Sequence, residues 1–461
     1  YVAVKGVTDE GKSVLVHDDQ LTEDINNKAY GTDGNTAQDQ RALSDAQMNS
    51  TNTLYDALGP VLGKYYKDAA DAGKLPKTAQ FLSDMNKSAS TGVAKATYQH
   101  PRPYVDRVNF NGTTLNMNGL KQTLNIKKVP GYENFDWGDG EAPDNEYDGL
   151  YNSGSFPSGH TTFAFTQGAG LAYLLPELGP EIMTRVSEAG NNRIVLGVHY
   201  PLDIMGGHIA GQYGVATAVS GEKTAQEGAA ARAELVDYLT AQCKADNHGD
   251  TLDACITNTG ANAANGYRND FTDEVSTKPV TDRASALAAY KARMTYGFQA
   301  TGTTGQAPVV PDSAVRMLDN VAAFKSLDSA QKKAVLAATE GDSGYPLDAS
   351  SQGWARVNLA AAYSAKVTLS ADGKNVVKVE PGQAQASVVR ETSGNNGNNG
   401  GNGNGGSNAG NIGVNNAAGR NPSGTQPLSK TGADVSGIAS AFILIAAAGV
   451  TIMMIRRKHA I

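Results

Sequence analysis

Three short blocks of the sequence carry side chains that could act together on a tetrahedral anion. The first block reads "KATYQHPRP", the second "GSFPSGHTTFAF" and the third "NRIVLGVHYPLD". They supply three cations, two histidines and one aspartate: Lys95, Arg102, Arg193, His160, His199 and Asp203. The planar fork of an arginine can bind two oxygens at once, whereas a lysine acts as a point charge. These residue types predict a site for a tetrahedral oxyanion.

The second block combines a turn with the start of an apolar helical run. Serine is a common first residue at a helix start, and the free N–H groups there attract anions. We therefore expect Ser158 and the backbone of Gly159 to add neutral donors to the site. His160 would face the far side of the anion and give a proton to a leaving oxygen. Taken alone, this block fits a helix start with an incidental histidine equally well.

The third block places a histidine and an aspartate four residues apart. At this helical spacing the carboxylate of Asp203 can meet one imidazole nitrogen of His199. Such a contact fixes the tautomer of the ring and leaves its other nitrogen available to attack an electrophile. Taken alone, the pair could also be a structural hydrogen bond that caps the helix. The recurrence of the required residue types in all three blocks favours chemistry.

The three blocks together resemble the signature of the type 2 phosphatidic acid phosphatase superfamily. This group includes the bacterial class A non-specific acid phosphatases and the vanadium-dependent haloperoxidases. The matching residues are Lys95, Arg102 and Pro103, then Pro157, Ser158, Gly159 and His160, and finally Arg193, His199 and Asp203. Asn192 stands where the family commonly has serine. The resemblance covers about residues 45–220.

The resemblance implies a role for each of these residues. His199 would be the nucleophile that forms a phosphohistidine, Asp203 would orient it, and His160 would be the general acid that later activates water. The phosphoryl oxygens would be held by Lys95, Arg102, Ser158, Gly159 and Arg193. The resemblance implies neither a metal nor a cofactor for a phosphatase.

Several functions compete for this site. A secreted phosphomonoesterase acting on an external phosphate ester is the first hypothesis. A vanadium-dependent haloperoxidase would use nearly the same pocket, with vanadate bound to His199. A lipid phosphate phosphatase is a further alternative, although its membrane-integral members carry several apolar spans and this catalytic region has none. A surface adhesin on an inherited scaffold would have no need for the catalytic residue types.

The rest of the pattern predicts an all-α helical bundle of the acid phosphatase and haloperoxidase type. A polar N-terminal segment, residues 1–44, carries no clear periodicity and precedes a phosphatase core at 45–220. Helical periodicity continues through 221–365, which we interpret as an extension of the same body. Alternating residues on either side of Asp372-Gly373 then predict a small β-hairpin within 366–392.

Glycines along the run that begins at Pro201 predict close contact between helices, because a residue without a Cβ lets two backbones approach. These glycines are Gly206, Gly207, Gly211 and Gly214.

Residues 393–427 are rich in glycine and asparagine, so they cannot bury enough apolar surface to fold, and we interpret them as a linker that spans the cell wall. Residues 428–461 contain "LSKTG", an apolar stretch at 435–455 that is long enough to cross a bilayer, and "RRKH". A simple membrane anchor would explain the last two features.

The order of these parts resembles a Gram-positive cell-wall sorting signal, whose pentapeptide is usually Leu-Pro-x-Thr-Gly. Ser429 replaces the proline here. The resemblance implies that a sortase cleaves between Thr431 and Gly432 and joins Thr431 to peptidoglycan. The membrane would then be a partner only transiently, and the protein would be extracellular and covalently attached to the cell wall.

Charge and cysteine content agree with this location. The formal net charge of −7 argues against nucleic acid as a partner, since phosphate backbones are bound by basic surfaces. Cys243 and Cys255 fit neither a zinc-site spacing nor a thioredoxin-like pair. In an oxidising compartment they would form a disulfide that closes one small loop.

Overall fold

The computed structural model describes residues 9–114, 117, 119–132, 146–259, 266–275, 278–348 and 352–392. Within these ranges the fold is mostly helical with two small sheets, as the sequence predicts. The described residues up to Glu391 form one compact unit. None of the helices in the described part is long and apolar enough to cross a membrane. The predicted linker and the predicted sorting signal lie outside the described residues.

The first helices in chain order are α1 Asp9–Tyr30, α2 Ala37–Ala46, α3 Ser50–Leu54, α4 Pro60–Asp71, α5 Pro76–Asn86, α6 Gly92–Tyr98 and α7 Glu146–Leu150. The remaining helices are α8 Gly159–Leu174, α9 Gly179–Val195, α10 Pro201–Val219, α11 Glu222–Ala245, α12 Leu252–Asn258, α13 Arg283–Thr295, α14 Ser329–Thr339 and α15 Leu359–Tyr363. Short 3-10 turns cover Tyr55–Leu58, Pro176–Leu178, Asp312–Leu318 and Ala322–Ser326.

Helices α8, α9 and α10 form the centre of the molecule and carry most of the candidate site. Ser158 begins α8 by accepting a hydrogen bond from a backbone N–H in its first turn, and Pro176 follows the end of the helix. Pro201 opens α10, where its missing N–H costs no hydrogen bond. Both α8 and α10 are apolar around most of their circumference, which is the pattern of helices buried on all sides. The signals that begin these two helices are therefore local and readable.

The polar N-terminal segment, in contrast, contains two regular helices, α1 and α2, which pack against α9. Its periodicity is weak because part of the buried face of α1 is polar. Asp18, Thr22 and Asn26 are each at most 1 % exposed. These side chains form hydrogen bonds with other segments or within α1, so their burial is compensated.

Close packing between α8 and α10 depends on glycine, as the sequence predicts. A Cβ placed on Gly211 would lie 2.5 Å from the Cβ of Phe165, which real side chains do not tolerate. We expect Gly211→Ala to lower the free energy of unfolding by about 1–3 kcal/mol, because the two helices must separate. Urea unfolding followed by circular dichroism measures this loss.

Gly149→Ala provides the matched control for that substitution. Gly149 lies in α7, and a Cβ there would meet no atom within 4 Å. Alanine should therefore leave the stability unchanged or raise it by up to about 1 kcal/mol through its better helix propensity. Equal losses in both variants would show that close packing at Gly211 is not the cause.

The predicted β-hairpin is confirmed and gains a third strand. β1 Asn109–Phe110 pairs with β2 Thr113–Thr114 as a two-stranded sheet near the site. Farther along the chain, β3 Lys366–Leu369 pairs antiparallel with β4 Val376–Glu380 around Asp372-Gly373. β5 Ser387–Arg390 then adds to the other edge of β3 in parallel orientation.

A disulfide joins Cys243 near the end of α11 to Cys255 in α12, with a Cα–Cα distance of 5.9 Å. Both residues are fully buried.

Candidate active site

His199 is held between an acceptor and a donor. Its Nδ1 lies 3.1 Å from Oδ2 of Asp203, and its Nε2 lies 3.1 Å from Nη1 of Arg102. A carboxylate accepts hydrogen bonds and a guanidinium only donates them. The two contacts therefore place the ring hydrogen on Nδ1 and the lone pair on Nε2. All three side chains are at most 3 % exposed.

The first turn of α10 fixes the position of Asp203. The same Oδ2 atom that faces His199 also accepts the backbone N–H of Tyr200 at 2.9 Å. An aspartate at this place is stabilised by the free N–H groups of the helix start. The local signal that starts α10 thus also aims the carboxylate at the imidazole.

Two residues that the sequence analysis did not assign to the site extend this chain of hydrogen bonds. Oγ of Ser155 donates to Oδ1 of Asp203 at 3.3 Å, and the same oxygen lies 2.9 Å from Nδ1 of His100. His100 sits between the two cations of the first block, but its contact leads to Asp203 and not to an open donor. Ser155 precedes the PSGH turn by one residue, so only its contact across the fold reveals its part.

Lys95 and Arg102 are bound to backbone carbonyls that line one side of the site. Nζ of Lys95 donates to the carbonyl oxygens of Gly154 and Ser155. Arg102 donates from Nε to the carbonyl of Ser153 at 3.1 Å and from Nη1 to that of Val198 at 3.0 Å. These bonds attach the first block to both of the other blocks.

Arg193 has donors that the described residues do not use. Its Nη2 donates to the hydroxyl of Tyr132 at 2.6 Å, and its guanidinium carbon lies 5.3 Å from the centre of that ring. Nε and Nη1 are buried and form no hydrogen bond within the described part of the chain. A buried guanidinium with two open donors is a strong anion-binding group. Tyr132 was not predicted, because a single tyrosine far along the sequence gives no signal.

The PSGH turn connects α8 to the start of α10. The N–H of Ser158 donates to the backbone carbonyl of Asp203 at 3.0 Å, and its Oγ accepts the N–H of Thr161 at 3.2 Å. Gly159 is the first residue of α8, and His160 follows it. Nε2 of His160 lies 3.1 Å from the carbonyl oxygen of Ala46.

Asn192 does not take part in the site directly. Its Nδ2 donates to Oδ2 of Asp45 at 2.8 Å, at the end of α2. The position at which the family commonly has serine therefore contacts the N-terminal helices in this protein.

Helix α1 contacts the connection between α9 and α10 from the opposite side. Nδ2 of Asn26 donates to the carbonyl of Val195 at 2.7 Å, in the last turn of α9. Oδ1 of Asp18 accepts the N–H of Leu202 at 3.0 Å, in the first turn of α10. Both contacts bracket the segment that carries His199.

Burial and neighbouring charge shift the pKa values in the site. Burial, followed by the charge of Arg102, lowers the pKa of Lys95 to about 7. Burial and the same arginine hold the pKa of His199 well below its usual range. Burial raises the pKa of Asp203 to about 7, against the opposing effects of the Tyr200 N–H and the Lys95 charge. An anion bound among these cations would be strongly favoured.

Within the described ranges, no group of three or more His, Cys, Asp or Glu side chains is placed to hold a metal ion. The donors that converge here are cations and N–H groups, which suit an oxyanion.

All three blocks thus meet in one place, and they belong to one stretch of the chain. Residues 79–225 match the PAP2 superfamily model. This PAP2 segment contains α8, α9, α10 and every candidate catalytic and phosphate-binding residue named above. Helices α1 and α2 lie outside it.

Two acid phosphatases are similar to parts of the chain. The acid phosphatase of Zymomonas mobilis is 40% identical over 62 residues, which is 13% of this chain and 24% of that protein. The non-specific acid phosphatase of Providencia stuartii is 27% identical over 189 residues, which is 40% of this chain and 61% of that protein. The chain therefore matches less than two thirds of the length of either relative.

Proposed function

We propose that this protein is a phosphomonoesterase that works through a phosphohistidine on His199. The observation that carries the proposal is the placement of His199 between Asp203 and Arg102, which leaves a lone pair on Nε2. The open donors of Arg193 and the PAP2 segment support the same conclusion. Both similar proteins are named acid phosphatases.

The first half of the reaction transfers the phosphoryl group to the enzyme. Nε2 of His199 forms a bond to phosphorus while the bond from phosphorus to the ester oxygen breaks and its electron pair stays on that oxygen. His160, in its protonated form, gives a proton to the leaving alcohol. Asp203 stabilises the positive charge that develops on the imidazole of His199.

The second half releases phosphate. Water attacks phosphorus, gives its proton to the now neutral His160, and the bond between phosphorus and Nε2 breaks with its electron pair returning to nitrogen. Lys95, Arg102 and Arg193 would hold the phosphoryl oxygens in both halves, where preorganised cations lower the barrier most. Ser158 and the N–H of Gly159 would complete this set.

Arg102 has two tasks in this mechanism. In the unliganded protein its Nη1 donates to the lone pair of the nucleophile at 3.1 Å. A phosphoryl group that binds beside His199 offers this guanidinium a stronger, charged acceptor. Substrate binding would therefore expose the nucleophile at the moment when the electrophile arrives.

Hydrolysis of 4-nitrophenyl phosphate by the purified protein tests the proposal. We expect release of nitrophenol that orthovanadate blocks, together with an acid-labile phosphoenzyme in rapid-quench samples. A parallel assay with bromide, peroxide and vanadate tests for halogenation. Halogenation without phosphate release would contradict the proposal, and so would silence in both assays.

Lys95 makes phosphate binding depend on pH. Because its folded pKa is lowered to about 7, the ammonium is present below about pH 7 and is lost above it. We expect KM for 4-nitrophenyl phosphate to rise about tenfold between pH 6 and pH 8, since one of three cations disappears. Lys95→Arg should flatten this rise, because arginine stays protonated throughout. A rise of equal size in Lys95→Arg would assign it to another group.

The proposal includes export and attachment to the cell wall. The disulfide between Cys243 and Cys255 supports an oxidising compartment, and the order of parts within 428–461 supports sorting. Sortase would cleave after Thr431 and form an amide with peptidoglycan. Mass spectrometry of protein released from walls by a muralytic enzyme should find a C-terminal peptide that ends at Thr431 and carries wall fragments. An intact C-terminus in the membrane fraction would contradict this.

A further inference from the structure

Helix α2 ends beside His160. The last carbonyls of a helix have no partner within the helix and must be satisfied elsewhere. The carbonyls of Ser44 and Asp45 accept the N–H groups of Gln47 and Met48. The carbonyl of Ala46 instead lies 3.1 Å from Nε2 of His160. The end of α2 therefore presents an acceptor to the imidazole.

Buried hydrogen bonds fix the end of α2 against α9. The carboxylate of Asp45 accepts from both Nη atoms of Arg185 and from Nδ2 of Asn192. All three side chains are nearly or fully buried, with at most 7 % of any of them exposed. In a buried setting such charge-assisted bonds have restricted geometry. The Ala46 carbonyl thus has a defined position relative to α9 and, through it, to the site.

We propose that the end of α2, held by Asp45 and Asn192, is the orienting partner of His160, so that Nδ1 of this ring transfers the proton to and from the reacting oxygens. A carbonyl can only accept, so its contact requires the hydrogen on Nε2. The proposal rests on the proposed function and adds a positioning role to residues outside the three blocks. Asn192 is the positioning residue in the PAP2 segment, and Ala46 and Asp45 lie outside that segment.

The two histidines then have opposite tautomers. His199 carries its hydrogen on Nδ1 and reacts at Nε2, whereas His160 carries its hydrogen on Nε2 and reacts at Nδ1. Asp203 orients the first ring and the end of α2 orients the second. Each partner leaves the reacting nitrogen of its ring uncommitted to that bond.

The charges around His160 explain why this partner is needed. Lys95 of α6, Arg102 and Arg193 of α9 all lower the pKa of His160 together with burial, and His199 faces it as well. The hydrogen bond to the Ala46 carbonyl acts in the opposite direction. Asp45 lies next to it at the negative end of the α2 dipole, which also favours an imidazolium. A dianionic substrate adds to the same effect.

Asn192→Ala tests the role through its dependence on the leaving group. Phenol needs a proton as it leaves, whereas 4-nitrophenolate leaves almost as well without one. Loosening the end of α2 should therefore lower kcat/KM for phenyl phosphate about tenfold and for 4-nitrophenyl phosphate less than about twofold. The basic limb of the kcat/KM profile for phenyl phosphate should also move to lower pH.

Asn191→Ala is the matched control for this substitution. Asn191 precedes Asn192 on α9, is equally buried, and donates from Nδ2 to a different carboxylate, that of Asp273, at 3.0 Å. It loses a comparable buried bond without touching α2, so it should lower the melting temperature and leave the ratio of the two kcat/KM values unchanged. Equal effects on both esters in Asn192→Ala, or the same ratio change in Asn191→Ala, would overturn the proposal.

A second measurement does not depend on catalysis. In protein labelled with 15N-histidine, the ring of His160, assigned with His160→Gln, should show its hydrogen on Nε2. A hydrogen on Nδ1 of His160 would overturn the positioning role even in an active enzyme. If no phosphate ester is hydrolysed, the proposed function fails while this spectrum still tests the contact.

Discussion

Replacing His199 with alanine is expected to lower kcat for 4-nitrophenyl phosphate by about 10⁴-fold or more. The variant has no atom that can form the bond to phosphorus, and none of the other residues around the site offers a nucleophile with a lone pair fixed by two neighbours. Lys95, Arg102 and Arg193 stay in place, so phosphate should still bind. The loss should therefore appear in kcat and in the phosphoenzyme, with little change in the affinity for phosphate.

Rapid-quench trapping, isothermal titration with phosphate and a thermal melt together test this expectation. His208→Gln is the control, because His208 lies on the same helix, is buried, and contacts Tyr290 and Gln212 away from the site. It should change the melting temperature and keep turnover within a few fold. Retention of more than about 1 % of kcat in His199→Ala would exclude His199 as the nucleophile.

Asp203→Asn should lower kcat/KM by about 10²- to 10³-fold through loss of charge. The backbone N–H of Tyr200 points at Oδ2, so the amide oxygen of asparagine should take that position and still face Nδ1 of His199. The amide nitrogen would then replace Oδ1 and donate to Oγ of Ser155, which accepts as readily as it donates. The hydrogen bonds survive, but the negative charge opposite the developing imidazolium is gone.

The tautomer of His199 decides between loss of charge and loss of orientation. With 15N-labelled histidine, Asp203→Asn should keep the ring hydrogen of His199 on Nδ1 while its pKa falls further. Asp203→Ala serves as the comparison, since it leaves the Tyr200 N–H and the Ser155 hydroxyl unpaired and should also lower stability. Wild-type kinetics in Asp203→Asn would remove the carboxylate from the mechanism.

Much of the fold and the core of the site can be predicted because their signals are local. Ser158 and Pro201 mark the starts of α8 and α10, and the same turns carry His160 and Asp203. A pair such as His199 and Asp203 needs only the helical spacing to be brought together. The resemblance to a known family then supplies the roles that spacing cannot.

The rest depends on contacts between distant parts of the chain, which no local pattern encodes. Helix α1 buries Asp18 and Asn26, so its inner face lacks the apolar periodicity of an ordinary surface helix. Tyr132 and Ser155 join the site through single hydrogen bonds across the fold. Ala46 contributes only a backbone atom, and every residue type has one.

The contacts of α1 with the ends of α9 and α10 have a consequence for how this enzyme can be divided. A fragment cut at the borders of residues 79–225 would keep each side chain proposed for catalysis and lose Asp18 and Asn26, the supports of the segment that presents His199. It would also lose Ala46, the acceptor for His160. The stretch that sequence similarity delimits is therefore not a detachable catalytic module, and exchange of active sites between relatives has to carry the N-terminal helices along.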